Sequence, residues 1–543
     1  MNDTNLTSEG AHIINYIPLV EEKKKKLKEL STVPIDSVSS DTEQLPSIQI
    51  IPGALPMMTT QAEELLMNDR VGIFQRAGQL VRIITEAIKP KIKNDIKRPE
   101  DALIITSVDA IHLAEILSKL ATWEKYDQRL NDWKPKDCPD KVAKTLLARR
   151  EWDLPVLAGI IQAPTLRPDG SILETPGYDK ETGLFFTPGQ TQFQSIKSKP
   201  TKDDARVGLQ SLLYLIKEFP FENEESRAVE ISGILTALIR RSIPTAPLHG
   251  FTAPKMANGK SLLTDVIGLI ANGKNNSVIS QAENETEEKK RLLAVLAEGD
   301  LIVCYDNVEK PFGSPSLCSV LSQTEYKDRV LGSTKNISVP TNALFLATGN
   351  NLTFVGDIST RTILCTLNAQ CERPEERKFE LDLRSYIPNH RSELVHAALT
   401  ILRAYIVAGR PKQPIAPFGR FEEWSDLVRS AIVWIGMEDP CKSRREIENT
   451  DPVRLAINAL FAAWFAVFDN TPVKVKAIIN NHSEELRGAV LAFSQDSNGG
   501  INEISLGRKL QSYNKRIEGG FQLERMGTHQ GSATWRIVKM ENM

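Results

Sequence analysis

The triplet Gly259-Lys260-Ser261 joins a short apolar run to a strong helix pattern, in PLHGFTAPKMANGKSLLTDVIGLI. Those residue types at that spacing can hold a triphosphate. Backbone amides from Ala257 to Ser261 and the start of the helix form an anion nest, Lys260 reaches the β- and γ-phosphates, and the Ser261 hydroxyl holds magnesium. The predicted nucleotide contacts are Pro254, Ala257, Asn258, Gly259, Lys260, Ser261 and Leu262. The loop departs from G-x-x-x-x-G-K-[ST], because Pro254 stands at the first glycine position.

A magnesium-bound triphosphate also needs a carboxylate at the end of a neighbouring buried strand. The run Leu301-Ile302-Val303-Cys304-Tyr305-Asp306 supplies one, and Asp306 is the second predicted metal residue after Ser261. Asn307 follows it where a glutamate would polarise the attacking water, so the base stays open between Glu309 and Glu298. A further strand, Asn342 to Thr348, runs into Gly349-Asn350-Asn351, and an amide at that tip, assigned to Asn351 with Asn350 as the alternative, would orient water. Ten residues beyond Asn351 comes Arg361, placed to stabilise transition-state charge in a neighbouring subunit. The predicted catalytic set is therefore Lys260, Asp306, Asn351 and Arg361.

The elements that position these residues read as an α/β chain. From about Thr201 to Asn389 helices such as Ala205 to Phe219 and Glu230 to Arg241 give way to alternating strands and helices, which predicts a parallel sheet covered by helices. Residues 390–470 read as helical, clearest at Phe421 to Ile435 and Pro452 to Phe468, and 471–543 as three helices followed by a β-hairpin. Before the ATPase-like stretch, 46–200 reads as a mixed α+β accessory domain with a helix around Ser107 to Leu130. Its segment PTLRPDGSILETPGYDKETGLFF reads as short strands joined by turns, with Asp169-Gly170 and Asp179 serving as turn residues rather than ligands. Residues 1–45 are polar, with Lys23 to Lys26 as a solvated run or a nucleic-acid arm, and read as a flexible tail.

At 543 residues the chain should hold about three or four domains. Its formal charge of −2 requires any nucleic-acid contact to come from local basic surfaces. Two such surfaces stand out. RVLGSTKNISVP reads as a β-hairpin with Lys335 at its tip and Arg329 at its start, the latter a possible subunit-interface residue. SLGRKLQSYNKRI followed by FQLERMGTHQGSATWRIV has the order of a winged helix, with Arg508, Lys509, Lys515 and Arg516 facing DNA, or forming a solvated basic face if the wing docks a protein, and Trp535 in the core. The six cysteines show no zinc-ligand spacing and read as reduced, mostly buried thiols. No apolar run approaches the roughly twenty residues that span a bilayer, so the expected location is cytoplasmic, without a membrane partner.

In this order, GFTAPKMANGKSLL, LIVCYDNV, ATGNNL, GDISTR and ERPEERKF resemble the AAA+ motor of helicases from phages and integrated mobile elements, related to superfamily 3 and to poxvirus-type primase-helicases. The likeness covers about residues 46–540 and is strongest from 250 to 379. It departs at Ala257, where many relatives have glycine. It implies a P-loop AAA+ core, ATP and Mg2+, Lys260 and Ser261 as the Walker A pair, Asp306 as the Walker B acid, Asn351 as first sensor, Arg361 as arginine finger and Arg373 or Arg377 as second sensor. It also implies a hexamer that draws single-stranded DNA past Lys335 in a bacterial host, beside a separate primase, since the first 245 residues show no acidic palm motif. Two other readings share these residues: an initiator or helicase loader that binds DNA without unwinding, and a non-catalytic nucleotide-bound assembly protein, which Asn307 favours.

Overall fold

The computed structural model describes residues 45–68, 71–85, 96–329, 336–494, 500–529 and 532–540, so Lys23 to Lys26 and Lys335 lie outside the described residues. The chain divides into two compact units: Met1–Ala87 with Leu103–Val156, and Ile88–Ala102 with Leu157–Met543.

The first unit runs β1 (Ser47–Gln49), α1 (Leu55–Leu66), β2 (Ile73–Arg76), β3 (Gln79–Thr85), β4 (Leu103–Ser107), α2 (Ala110–Leu120), β5 (Thr122–Asp127), β6 (Asp132–Lys136) and α3 (Asp140–Arg149). It holds two three-stranded sheets, β2-β3-β4 and β1-β5-β6, around a core that includes Leu113, Leu117, Trp123 and Leu146. The helix expected across Ser107 to Leu130 begins after Asp109, whose carboxylate accepts the His112 N–H at 2.8 Å, and it stops at Leu120. Thr122, Trp123 and Tyr126 are β-branched or aromatic residues that favour a strand, and β5 pairs with β1 on one side and β6 on the other. Trp123 Nε1 donates to the Leu117 carbonyl at 2.9 Å and ties the strand to the last turn of α2.

The second unit opens with short strands, β7 (Gly159–Ile161), β8 (Thr165–Leu166), β9 (Ile172–Leu173), β10 (Gly177–Asp179) and β11 (Leu184–Phe186). Asp179 is bound there by Arg167 at 2.7 Å, and Asp169 accepts the Ser171 N–H at 2.8 Å, so both acids fix turns as expected. Two helices follow, α4 (Lys202–Leu215), begun by a Thr201/Asp204 capping box, and α5 (Glu224–Ile239). Then come β12 (Leu248–Ala253), α6 (Lys260–Asn272), β13 (Ser277–Ile279), α7 (Glu285–Glu298), β14 (Ile302–Tyr305), α8 (Pro315–Ser322), β15 (Glu325–Arg329), β16 (Asn336–Pro340), β17 (Leu344–Asn350) and β18 (Thr362–Thr366). Five of these strands form one sheet in the order β13-β14-β17-β12-β18, every pairing parallel. Helices cover such sheets on both faces, so β12, β14 and β18 are buried at every position, including the polar residues His249, Thr252, Thr362 and Thr366.

Beyond the sheet lies α9 (Leu383–Val407), a helical stretch over 422–435 that contains a π turn, and α10 (Pro452–Phe468). The C-terminal part holds β19 (Val473–Lys474), α11 (Val475–Ile479), α12 (Glu484–Ser494), α13 (Glu503–Ser512), β20 (Ile517–Glu518), β21 (Phe521–His529) and β22 (Ser532–Lys539). Its sheet order is β19-β22-β21-β20, and Trp535 is buried in its core. Five cysteines are buried and Cys371 is exposed. Among the described residues no single helix is long and apolar enough to cross a membrane.

Helix α5 is buried on all sides from Ala228 to Ile239, and it carries one acid there. Both carboxyl oxygens of Glu230 lack a hydrogen-bond partner, and burial pushes its pKa well above the ordinary carboxylate value. Its folded-state pKa is raised, so its contribution is intact below the unfolded value and stability is lost as pH rises toward the folded one. Glu230→Gln is therefore expected to raise Tm by a few degrees at about pH 8 and to flatten the decline from about pH 5 upward. Thermal melts across that range that superimpose on those of the parent protein would rule this out.

Candidate functional site

At the C-terminal end of β12 the backbone passes directly into the loop 254–259 and then into α6. Ala257 (φ +60°) and Gly259 (φ +101°) are both left-handed, a conformation that turns neighbouring amides into one concavity. For Ala257, which carries a Cβ, that is an outlier the surroundings must hold in place. It also accounts for glycine at this position in the resembling loops. A Cβ on Gly259 would stand 2.9 Å from the Phe219 ring, so this position has no room for a side chain. No side chain caps α6, which leaves its first amides open toward the loop.

Within the loop, Asn258 is buried and its side chain is committed to structure. Its amide donates to the Lys255 carbonyl at 2.9 Å, and its Oδ1 accepts the Ala369 N–H at 3.0 Å. Pro254 is exposed directly after β12, and Leu262 lies half-buried in the first turn of α6.

Three strand ends converge on Lys260 and Ser261. Lys260 Nζ donates to Asn350 Oδ1 at 2.7 Å and to the Lys255 carbonyl at 3.3 Å. Burial lowers the Lys260 pKa, and the nearby Asp306 charge opposes that shift. Asp306 follows β14, and its Oδ1 accepts from Thr348 Oγ1 at 2.7 Å and from Ser261 Oγ at 3.3 Å. Asn307 is also left-handed (φ +54°); its N–H donates to Thr348 Oγ1 at 3.1 Å and its amide to Glu309 Oε1 at 2.9 Å. Glu309 is exposed beside this cluster. Glu298 ends α7, before β14 begins, and pairs with Arg98 at 2.6 Å, so it stands at the opposite end of the strand from Asp306.

The strand tip 348–351 divides its two asparagines. Asn350 ends β17 and faces Lys260, whereas Asn351 is exposed, left-handed (φ +45°) and held by its N–H to the Ala253 carbonyl at 3.0 Å. Sequence reasoning passed over Thr348 because a threonine in LFLATGN reads as an ordinary strand former; its position two residues before Asn350 was the available signal.

Beside the loop a cleft of about 570 Å³ opens, lined by Tyr214, Phe219, Leu262, Phe379, Leu383 and Arg384 among others. Arg384 at its rim pairs with Asp265 of α6 at 3.1 Å, and burial raises the Asp265 carboxyl despite that partner. The apolar members come from three segments far apart in sequence, which is why no linear pattern announces the cleft.

No protein-family model matches the chain, and no curated protein sequence matches it. Among solved structures it is similar to the NrS-1 C-terminal region in its apo form, at 13% identity and a TM-score of 0.36, covering 79% of this chain and all of that one. It is also similar to an SCCmec type IV Cch active helicase, at 11% identity and a TM-score of 0.33 over 86% of this chain and 97% of that one. A third, a JCV helicase, gives 13% identity and a TM-score of 0.21 over 46% and 74%. These superpositions are loose, and the site stands on its own geometry.

The remaining predicted residues lie apart from the cluster. Arg361 precedes β18 and so lies at the opposite end of the parallel sheet from the loop after β12. Its side chain is 7% exposed, with Nη1 on the Asp357 carbonyl at 2.7 Å and on the Asp357 carboxylate at 3.2 Å. Arg373 is exposed and pairs with Glu376, while Arg377 donates to the Glu218 carbonyl and packs on Phe379, so neither touches Lys260 or Ser261. Arg329 ends β15, exposed, and its antiparallel partner β16 confirms two paired strands on either side of 330–335.

Of the C-terminal basic residues, Lys509 turns inward onto the Phe493 carbonyl and ring, and Arg516 pairs with Glu518 at 2.8 Å. Arg508 and Lys515 are exposed, with no carboxylate partner among the described residues.

Proposed function

We propose that this chain is an ATP-hydrolysing motor acting on DNA, with the triphosphate lying against the start of α6. The observation that carries the reading is the convergence of Ser261 and Thr348 on one oxygen of Asp306 beside Lys260. Loop amides and Lys260 would bind the phosphates, Lys260 exchanging its contact with Asn350 for a phosphate oxygen. Freed by that exchange, the Asn350 amide would orient the attacking water, which makes Asn350 the better candidate than Asn351 for this role. The apolar cleft beside Phe219 has the volume of a small-ligand site and would take the nucleoside.

Among the described residues no cluster of three His, Cys, Asp or Glu side chains could hold a metal by itself. A hydroxyl and one carboxylate suit magnesium, which keeps waters and takes further oxygens from a bound nucleotide. Ser261 and Asp306 would hold it, and it would supply charge neutralisation at the phosphates.

We take the larger assembly to be a ring, hexameric by resemblance, in which Arg361 of one subunit serves the next subunit's site. DNA would be drawn past the β15–β16 hairpin, with Arg508 and Lys515 as the better placed of the C-terminal contacts. Replication of a phage or mobile element, with a separate primase, is the biological setting that the resemblance suggests.

The test is phosphate release from ATP with and without single-stranded DNA, on protein sized by light scattering, followed by strand displacement on a forked duplex. Turnover stimulated by DNA together with unwinding is expected. Turnover without unwinding would support a loader or initiator. No phosphate release at all would favour the non-catalytic reading, for which Asn307 in place of a glutamate is the specific argument.

A further inference from the structure

The segment from Arg377 to Glu380 is fastened at both ends to one residue, Glu218. Arg377 Nη2 donates to the Glu218 carbonyl at 2.5 Å, and the Glu380 N–H donates to Glu218 Oε2 at 3.0 Å. Between those anchors Phe379 remains 45% exposed, with the Arg377 guanidinium 5.1 Å from the centre of its ring. A single exposed apolar side chain needs no explanation. This one is different in that it lines the cleft of about 570 Å³ and is held there by bonds on either side of it.

What the cleft adjoins indicates what it takes. Phe219 lines it too, and lies so close to the loop 254–259 that a Cβ on Gly259 would stand 2.9 Å from its ring. Leu262, in the first turn of α6, is another lining residue. Apolar walls therefore begin where the anion nest ends, which is the order of a nucleotide, whose base is joined to its phosphates through one sugar. The charged heads around the cleft are already engaged: Lys217 with Glu380 at 3.4 Å, Arg384 with Asp265 at 3.1 Å, and Asp382 with the Ser385 hydroxyl at 2.6 Å. Glu218 Oε1 and Arg377 Nη1 lack partners, but both atoms are buried from solvent and so are not offered to the cleft. To a base these side chains present a face rather than an edge-reading group. Stacking on an aromatic ring accepts any base, because each has a π-face.

We infer that Phe379 stacks on the nucleobase of the bound triphosphate, and that the site grips the base by its face, so that adenine and guanine nucleotides are held alike. Stacking there presupposes that the phosphates lie against the loop 254–259, and a ligand made of phosphates alone separates the two claims. Full-length protein is titrated with the β,γ-imido analogues of ATP and GTP, and with inorganic tripolyphosphate as a competitor that has no base. The parent protein should bind the two analogues within about threefold of each other. Phe379→Ala should weaken both at least about fivefold, the factor that one lost stack contributes, and leave the tripolyphosphate affinity unchanged. Phe379→Tyr keeps the ring and should bind both analogues as the parent does. Lys260→Ala should weaken all three ligands.

If Phe379→Ala binds the analogues like the parent while Lys260→Ala loses them, the stacking is overturned and the phosphate site stands. Loss of tripolyphosphate in Phe379→Ala also overturns it, by marking the ring as a brace for the loop. So does a parent protein that prefers one purine by about tenfold or more, the sign that hydrogen bonds read an edge. Retention of all three ligands by Lys260→Ala would remove the phosphate reading and the stacking with it.

Discussion

Replacing Lys260 with alanine is expected to lower ATP turnover by at least about a hundredfold, the loss that follows removal of one preorganised charge from developing phosphate charge. The fold should survive the change. Lys260 makes two hydrogen bonds, to Asn350 and to the Lys255 carbonyl, and neither holds an element of the sheet. Its ammonium is half-buried against loop and strand tip, where desolvation lowers its pKa. A charge held at that cost in an exposed cleft suits an anion that arrives from solvent. Binding of a fluorescent nucleotide should weaken along with turnover, and Tm should stay within about two degrees of the parent. Full turnover in the alanine variant would place the phosphates elsewhere.

The part of this site that could be read from sequence is the part built from contiguous residues. Gly259-Lys260-Ser261 was legible because a buried strand, a loop and a helix start follow one another along the chain, and Asp306 because it ends an apolar run. Asn350 stood out only as the alternative to Asn351, and Thr348 and Arg384 not at all, since each acquires its meaning from a neighbour across the sheet or the cleft. Thr348 matters only because β17 lies between β14 and β12, a strand order that periodicity does not disclose. The parallel sheet itself was legible from alternating strand and helix patterns. A mixed α+β stretch after residue 46 was legible too, but the helix expected to run to Leu130 was not placed correctly: Thr122-Trp123-Glu124-Lys125-Tyr126 becomes a strand through its pairing with β1 and β6, which periodicity does not disclose. Basic residues near the C-terminus were counted equally in sequence. The fold separates Lys509, spent on the Phe493 carbonyl, from Arg508, which is exposed.

A mixing experiment decides the role of Arg361, and its expected effect is as large as that of Lys260. Arg361→Ala protein should bind nucleotide normally and turn over at least about a thousandfold more slowly, the range in which a transition-state arginine acts. Within its own chain the guanidinium cannot serve the phosphates, because it sits where β18 begins while the loop follows where β12 ends, and those strands run parallel. If it acts, it acts on a neighbour. Mixed with Lys260→Ala protein, which keeps Arg361, the inactive Arg361→Ala protein should then regain turnover, since some interfaces will pair an intact loop with an intact arginine. A purely structural arginine gives a different outcome. Its contacts with Asp357 and its 7% exposure predict a drop in Tm, and mixing would restore nothing. For the side chain to reach a neighbour it must leave Asp357. The 2.7 Å contact is to the Asp357 backbone carbonyl and the carboxylate at 3.2 Å is exposed, so Asp357→Asn should keep Tm near the parent's and, if the arginine is catalytic, turnover at the parent level or above it.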